Sequence, residues 1–295
     1  VALRTDASMR IGTGHLMRCL TLADALRGAG ARTRFVCRAL PSGLREAVTA
    51  RGHELAELPS APETAAGDGD VRVAPDAPVA SFAPEHEELA HAAWLGATQQ
   101  EDAAATQAAL GDGVVWDWLV VDHYAIDARW ETRLRAAARR ILAIDDLADR
   151  RHDCDALLDQ NLYTEGEARY ADRVPAHCIR MLGLRDVIDD PSAVRDLWSQ
   201  RGIYDLLRQN YDHLLVYGQE SIFQTARAYA LPEELAGRTR YCNYVGEDET
   251  ALDMTEVEPF AEKGERLVVV TIGAGDGAGE LVIGSYLAML REAGK

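Results

Sequence analysis

Four short polar clusters in this sequence carry residue types that could do chemistry. The first is Gly12-Thr13-Gly14-His15, which opens the stretch RIGTGHLMRCLTLADAL at residues 10–26. Two glycines in a loop leave backbone N–H groups uncovered, and a helix that starts just after them offers those donors to an anion. A histidine at that mouth can take or give a proton near neutral pH. The second cluster is Asp122-His123-Tyr124, directly after WLVV. The third is Asp145-Asp146, after ILAI, and the fourth is Asp159-Gln160-Asn161, after ALL.

Each cluster also has a plainer reading. A GxG loop alone is a weak sign of dinucleotide binding, and Met17 stands where the fingerprint needs its third glycine. His15 could serve only the start of the helix. Asp122 and Asp145 could cap the helices that follow them, and Tyr124 could be a packing residue. His152, Cys154, His177 and Cys178 invite a zinc reading, but their spacing fits no standard site. No nucleophile elbow, P-loop or HExxH motif is present.

The elements that must position these residues follow from the hydrophobic pattern. Leu16, Leu20, Ala23 and Leu26 recur at helical spacing after the glycine loop. Ten short apolar runs read as strands: VALRTD, TRFVCRA, HELAEL, DWLVVDH, RILAIDD, DALLDQN, CIRMLG, HLLVYG, RYCNYV and RLVVVTIG. Several are continuously apolar, the mark of strands buried on both faces in a parallel sheet. Helical periods lie between them, for example RWETRLRAAARR and ESIFQTARAYALPEELA. This alternation predicts an α/β, doubly wound, Rossmann-like fold. In such sheets ligands bind beyond the carboxyl ends of the strands, where all four clusters fall, so they are expected to converge on one crevice. Residues 59–84, rich in Pro, Ala, Gly and Asp, read as an exposed loop.

The strand–glycine-loop–helix layout recurs at residues 267–290, with Gly273, Gly275 and Gly277 in the loop. Two such units far apart predict two Rossmann-like domains facing across a cleft. Roughly 30 residues remain for the second, the size of a single βαβ unit. The expected division is therefore an N-terminal domain over residues 1–245 and, over 246–295, a linker with the start of a truncated nucleotide-binding domain.

The bulk composition narrows the function classes. The chain has 295 residues, with 31 Lys+Arg against 48 Asp+Glu and a net charge of −17. Such an acidic chain is not expected to bind nucleic acid, which needs basic surface, although a glycine loop with a local arginine can still hold a small anion. Five cysteines at wide spacing, without CxxC, predict reduced thiols in a cytoplasmic protein. No signal peptide and no apolar run of membrane-spanning length is seen.

Residues 1–183 resemble a known family. The segments RTDASMRIGTGHLMRCLTLADAL, WLVVDHYAIDARWE, ILAIDDLADRRHDCDALLDQNLY and RMLG are similar, in order, to the UDP-2,4-diacetamido-2,4,6-trideoxy-β-L-altropyranose hydrolases of pseudaminic acid biosynthesis, the PseG family. The resemblance implies a two-domain GT-B fold and metal-independent, inverting hydrolysis of a UDP-sugar, with no cofactor. It implies that His15 is the general base activating water and that Tyr124 stands close to the sugar. It assigns substrate binding to Arg4, Asp6, Gly12, Thr13, Gly14, Asp122, His123 and Asn161. Beyond Gly183 the sequence departs from that family: YDHLLVYG, RYCNYVG and VVVTIGAGDGAGE resemble predicted MurG-like glycosyltransferases instead, which places weak nucleotide contacts at Gly273, Gly275 and Gly277.

The expected function is thus hydrolysis of a UDP-linked diacetamido-trideoxy sugar, with the UDP-sugar as partner. The alternatives are a GT-B glycosyltransferase, in which the same base deprotonates an acceptor hydroxyl, and an inactive truncated or chimeric GT-B protein. Apolar surface left where a second domain should dock would favour self-association.

Overall fold

The computed structural model describes residues 1–59, 89–163 and 169–244. They belong to one compact unit, Val1–Gly246, and a second unit spans Glu247–Lys295. The predicted loop after Pro59, the predicted tenth strand, and Gly273, Gly275 and Gly277 lie outside the described residues.

Nine strands form a single sheet: β1 (Ala2–Thr5), β2 (Arg34–Cys37), β3 (Glu54–Glu57), β4 (Trp116–Asp122), β5 (Ala138–Asp145), β6 (Ala156–Asp159), β7 (Ile179–Arg185), β8 (His213–Tyr217) and β9 (Thr239–Tyr241). Each overlaps one of the first nine runs picked out by their apolar character; β4, β5, β7 and β9 extend beyond theirs by one or two residues. The order is β3-β2-β1-β4-β5-β6-β7-β8-β9, and every pairing is parallel. The first six strands follow the Rossmann order, in which the chain winds outward from β1 and then reverses. That reversal puts a crevice between the carboxyl ends of β1 and β4.

The strands bury both faces, as their composition requires. Along β4, Leu119 and Val121 pack into one apolar cluster with Trp130 and Leu134, while Val120 between them packs on the other side with Leu16, Leu20 and Ala23. This two-residue alternation splits the core between the sheet's two covers. On one side lies α1 (Gly14–Gly28). On the other lie α3 (Gln99–Leu110), which follows α2 (Ser42–Ala50), and α4 (Ala128–Leu134). A third cluster, centred on Trp198, Leu207, Leu214 and Tyr229, joins β7 and β8 to α5 (Pro191–Gln200), α6 (Ile203–Asn210), α7 (Thr225–Ala228) and α8 (Glu233–Arg238).

Local sequence sets the helix starts. Thr98 and Glu101 form a reciprocal capping box on α3. Asp127 accepts a hydrogen bond from the Arg129 amide at the start of α4, and Asp190 with Pro191 opens α5.

Two expected helices are shorter than their apolar spacing suggests. The segment RWETRLRAAARR is helical only to Leu134, and its last residues, Ala138 to Arg140, already belong to β5. There the main chain pairs with β4, since Trp116 lies opposite Ala138, and sheet pairing outweighs alanine's helix preference. The segment ESIFQTARAYALPEELA breaks into α7 and α8. Ala230 between them takes φ +50, and Pro232 cannot continue a preceding helix.

Candidate functional site

Three polar loops meet at the reversal point of the sheet. The loop after β1 turns tightly at residues 8–12: the Gly12 amide donates to the Ser8 carbonyl at 2.8 Å. Gly12 takes φ +81, a conformation that excludes most side chains. Gly14 is not in that region, and a Cβ on Gly12 or on Gly14 would meet only open space. Thr13 is the N-cap of α1 without a side-chain cap bond, so the mouth of the helix is lined by backbone. Thr13 and Gly14 are exposed there.

His15, in the first turn of α1, is 7% exposed. Its Nδ1 lies 2.6 Å from Asp122 Oδ1. Asp122 is fully buried at the end of β4 and also receives Nε and Nη2 of Arg18, the latter at 2.5 Å. Burial by itself would raise the Asp122 carboxyl, but the hydrogen bonds from Arg18 and His15 and their charges overcome it and hold the carboxyl below its ordinary range. An ionised carboxylate only accepts hydrogen bonds. Nδ1 of His15 must therefore carry the proton it shares with Asp122, and Nε2 is left as the basic atom. Arg18 Nη2 also approaches Nδ1, at 2.9 Å, a contact between two donors that Asp122 bridges. Asp122 does not cap a following helix; Asp127 does that for α4.

Tyr124, the next residue but one, is half-buried. Its ring meets that of His15 edge to face, with centroids 4.5 Å apart. The phenol donates to Asp146 Oδ1 at 2.6 Å, and Asn161 Nδ2 donates to Asp146 Oδ2 at 2.6 Å. Burial, then the hydrogen bond to Asp146, pushes the phenol pKa up, so Tyr124 is a neutral donor. All four polar clusters thus reach the same crevice: the first two through His15 and Asp122, the others through Asp146 and Asn161.

Asp145 faces inward instead of lining the crevice. It pairs with Arg150 at 2.8 Å and accepts from the Tyr170 hydroxyl at 3.0 Å and from the Ala148 amide at 3.0 Å. It closes a short turn and caps no helix.

Arg4, Asp6 and His123 lie beneath the site. Arg4 and Asp6 have no exposed surface, so they cannot touch a substrate directly. Arg4 grips Asp102 of α3 with Nε at 3.0 Å and Nη2 at 2.8 Å and reaches Asp6 Oδ2 at 3.0 Å. Asp6 accepts from the Arg38 amide at 2.6 Å and the Ala39 amide at 3.1 Å. Asp102 also receives the Trp130 indole at 2.9 Å. His123 accepts from the Ala125 amide on Nδ1 at 3.1 Å, and its Nε2 stands 3.2 Å from Asp6 without an aligned hydrogen bond. Burial lowers its pKa, so this histidine is neutral. This layer braces the loops after β1, β2 and β4.

Sequence reasoning missed Arg18, Asp102 and the role of Asp146 as hub. Arg18 carries a readable signal, since it follows His15 by three residues and faces the same side of a helix. Asp102 carries none, because its partner Arg4 is 98 residues away.

The sequence matches no protein-family profile and no curated protein. Solved structures align with this chain at low identity and low TM-score. MurG of Acinetobacter baumannii aligns at 10% identity with a TM-score of 0.33, over 85% of this chain and 67% of that one. The calicheamicin glycosyltransferase CalG4 aligns at 16% and 0.34, over 82% and 52%. A UGT transferase from Siraitia grosvenorii in complex with UDP aligns at 15% and 0.30, over 78% and 48%. The chain spans about half the length of the last two. Among the described residues, no helix is long and apolar enough to cross a membrane, and no group of three or more His, Cys, Asp or Glu side chains is placed to hold a metal ion.

Proposed function

We propose that this chain is a GT-B-type enzyme acting on a nucleotide sugar, with His15 as the general base that removes a proton from the oxygen attacking the anomeric carbon. The observation that carries the reading is the His15–Asp122 pair at the reversal point of the sheet. A buried carboxylate fixes one ring nitrogen as donor and leaves the other basic, in the crevice where such sheets bind ligands. The nucleoside diphosphate is a ready leaving group, so the chemistry asks mainly for a placed nucleophile and a base. The exposed N–H groups at the mouth of α1 would face developing negative charge. Arg18 lends Asp122 a second partner that keeps it ionised.

The nucleophile is an acceptor hydroxyl in a glycosyltransferase and water in a hydrolase. Transfer is the reading we favour for the fold as a whole. Hydrolysis of a UDP-linked diacetamido-trideoxy sugar is the second reading, supported by the motif resemblance of residues 1–183. In both, Thr13, Gly14 and Asn161 would touch the substrate.

The test is release of UDP from UDP-sugars, with and without a sugar acceptor, for the full chain and for His15→Ala. Release that depends on acceptor and His15 supports transfer; release without acceptor that depends on His15 supports hydrolysis. Turnover unchanged in His15→Ala would sink the assignment of the base.

A further inference from the structure

Beside His15 stand aromatic rings that the proposed chemistry does not use. Trp94, in the short 3-10 turn Ala92–Trp94, and His91, which precedes that turn, come from the segment leading into α3. Their rings lie 4.4 Å apart, and His91 and Trp94 reach Tyr124 at 5.6 and 6.0 Å between centroids. Tyr124 in turn touches His15. All three outer rings are half-buried. None of the three residues is sealed inside the core.

The rings are held in place. Leu95, next to Trp94, is 1% exposed, and Trp94 itself packs against the core of that face. The Tyr124 hydroxyl is tied to Asp146, and the Arg150 guanidinium stands 5.7 Å from the Tyr124 ring centroid, itself anchored on the Ile126 carbonyl at 2.7 Å. A fixed cluster of aromatic rings with a carboxylate and an amide at one edge has two-sided chemistry. Aromatic faces carry negative charge density and suit the weakly positive C–H groups on the apolar face of a sugar ring. Asp146 and Asn161 suit its hydroxyl or acylamino edge.

We infer that His91, Trp94 and Tyr124 form a stacking subsite for a pyranose ring, with Trp94 as a residue that determines substrate affinity. The inference rests on the reading of His15 as the base of a nucleotide-sugar enzyme and extends it by naming the surface that holds the sugar. The pyranose is that of the donor or that of an acceptor; both present the same C–H face.

The experiment is fluorine NMR on the full chain labelled with 5-fluorotryptophan. The chain contains five tryptophans, and Trp94→Phe identifies the Trp94 resonance. The probes are N-acetylglucosamine, UDP-N-acetylglucosamine and UDP. The expected result is a saturable shift of the Trp94 resonance with the sugar or the nucleotide sugar and none with UDP. A shift with free sugar points to the acceptor ring, and one confined to UDP-N-acetylglucosamine points to the donor ring. Measured by isothermal titration calorimetry with the same probes, Trp94→Ala should weaken that binding roughly fivefold to tenfold, the scale of a lost aromatic contact, while Trp94→Phe keeps most of it. A Trp94 resonance that ignores both sugar-bearing probes, or answers equally to UDP, overturns the subsite whatever the turnover assay shows. Conversely, a shift in a protein whose turnover ignores His15 keeps the subsite and removes the base.

Discussion

Nδ1 of His15 lies 2.6 Å from Asp122 Oδ1, and this contact decides which ring nitrogen can act. The two residues are 107 positions apart in the chain and are brought together because β1 and β4 are sheet neighbours. Asp122→Asn would keep the shape but remove the charge and turn one of the two acceptor oxygens into an N–H donor facing either His15 or Arg18. The expected outcome is a fall in kcat on the order of a hundredfold or more with a smaller change in KM. Steady-state kinetics on a variant whose circular dichroism matches wild type checks it. An Asp122→Asn enzyme with wild-type kcat would show that the pair does no more than hold the fold.

Arg4 makes a stability prediction independent of function. Its guanidinium is buried against Asp6 and Asp102, and Asp102 also pairs with Arg38 at 2.9 Å, so removing Asp102 leaves two arginines with the single carboxylate of Asp6. Asp102→Ala is expected to cost roughly 3–5 kcal/mol, read as a lower urea midpoint. Arg4→Met, which removes the cation and leaves two buried carboxylates together, should be at least as damaging. A midpoint within error of wild type for both would mean that water enters the layer freely.

The pH dependence of stability should carry a mark from His152. Burial, the largest effect, disfavours its charged form, but the Glu131 charge, the Glu131 hydrogen bond at 2.8 Å and nearby Asp145 together outweigh it and raise the pKa to about 9. Asp145, 3.8 Å from Nε2, adds its charge at a distance too long for a hydrogen bond. A raised histidine pKa stabilises the fold fully below the unfolded value near 6.5, and the gain is lost as pH rises through about 9. Wild type should therefore exceed His152→Gln in unfolding free energy by up to about 3 kcal/mol at pH 6. That gap should narrow steadily toward pH 10. A constant gap would place the effect in packing.

Thiol reactivity should separate one cysteine from four. Cys19, Cys37, Cys154 and Cys178 are buried and Cys242 is exposed. Burial, first of all, raises the thiols of Cys19 and Cys37. For Cys154 the contact with Cys178, 3.6 Å between sulfurs, leads and burial adds to it. Thiolate, not thiol, is the reacting form. Ellman's reagent should modify one thiol of the native chain quickly and the rest only on denaturation, and Cys242→Ser should abolish the fast phase.

Much of this was legible in the residues. The inner strands announce themselves because they must be apolar on both faces, whereas the edge strands β3 and β9 are only partly buried. The polar clusters announce themselves because a charged residue directly after such a run has to leave the sheet at its carboxyl end. Pairing was not legible. Asp122 reads equally well as a helix cap until the strand order sets it beside α1. Arg4 and Asp6 look like pocket residues from their place in a motif, and only burial shows that they brace it from below. Trp94 stays hidden because its partners Tyr124 and His91 meet it only in the folded loop, with no periodic pattern to mark it.

The two glycines before His15 should respond differently to the same substitution. Gly12 takes φ +81, so Gly12→Ala forces an alanine into the left-handed region at about 1–2 kcal/mol. The melting temperature should fall by several degrees, with the turn at residues 8–12 loosened. Gly14 has an ordinary φ and open space at its Cβ position, and alanine is the better helix former. Gly14→Ala should therefore fold at least as stably as wild type. If the mouth of α1 holds the substrate by its backbone, the new methyl group stands where the ligand must approach, and affinity for the nucleotide sugar should drop in a fully stable protein. Calorimetric melting together with KM for both variants separates these effects. A Gly14→Ala protein with unchanged KM would move the ligand away from the helix mouth, while an unstable one would show that the loop is strained at both glycines.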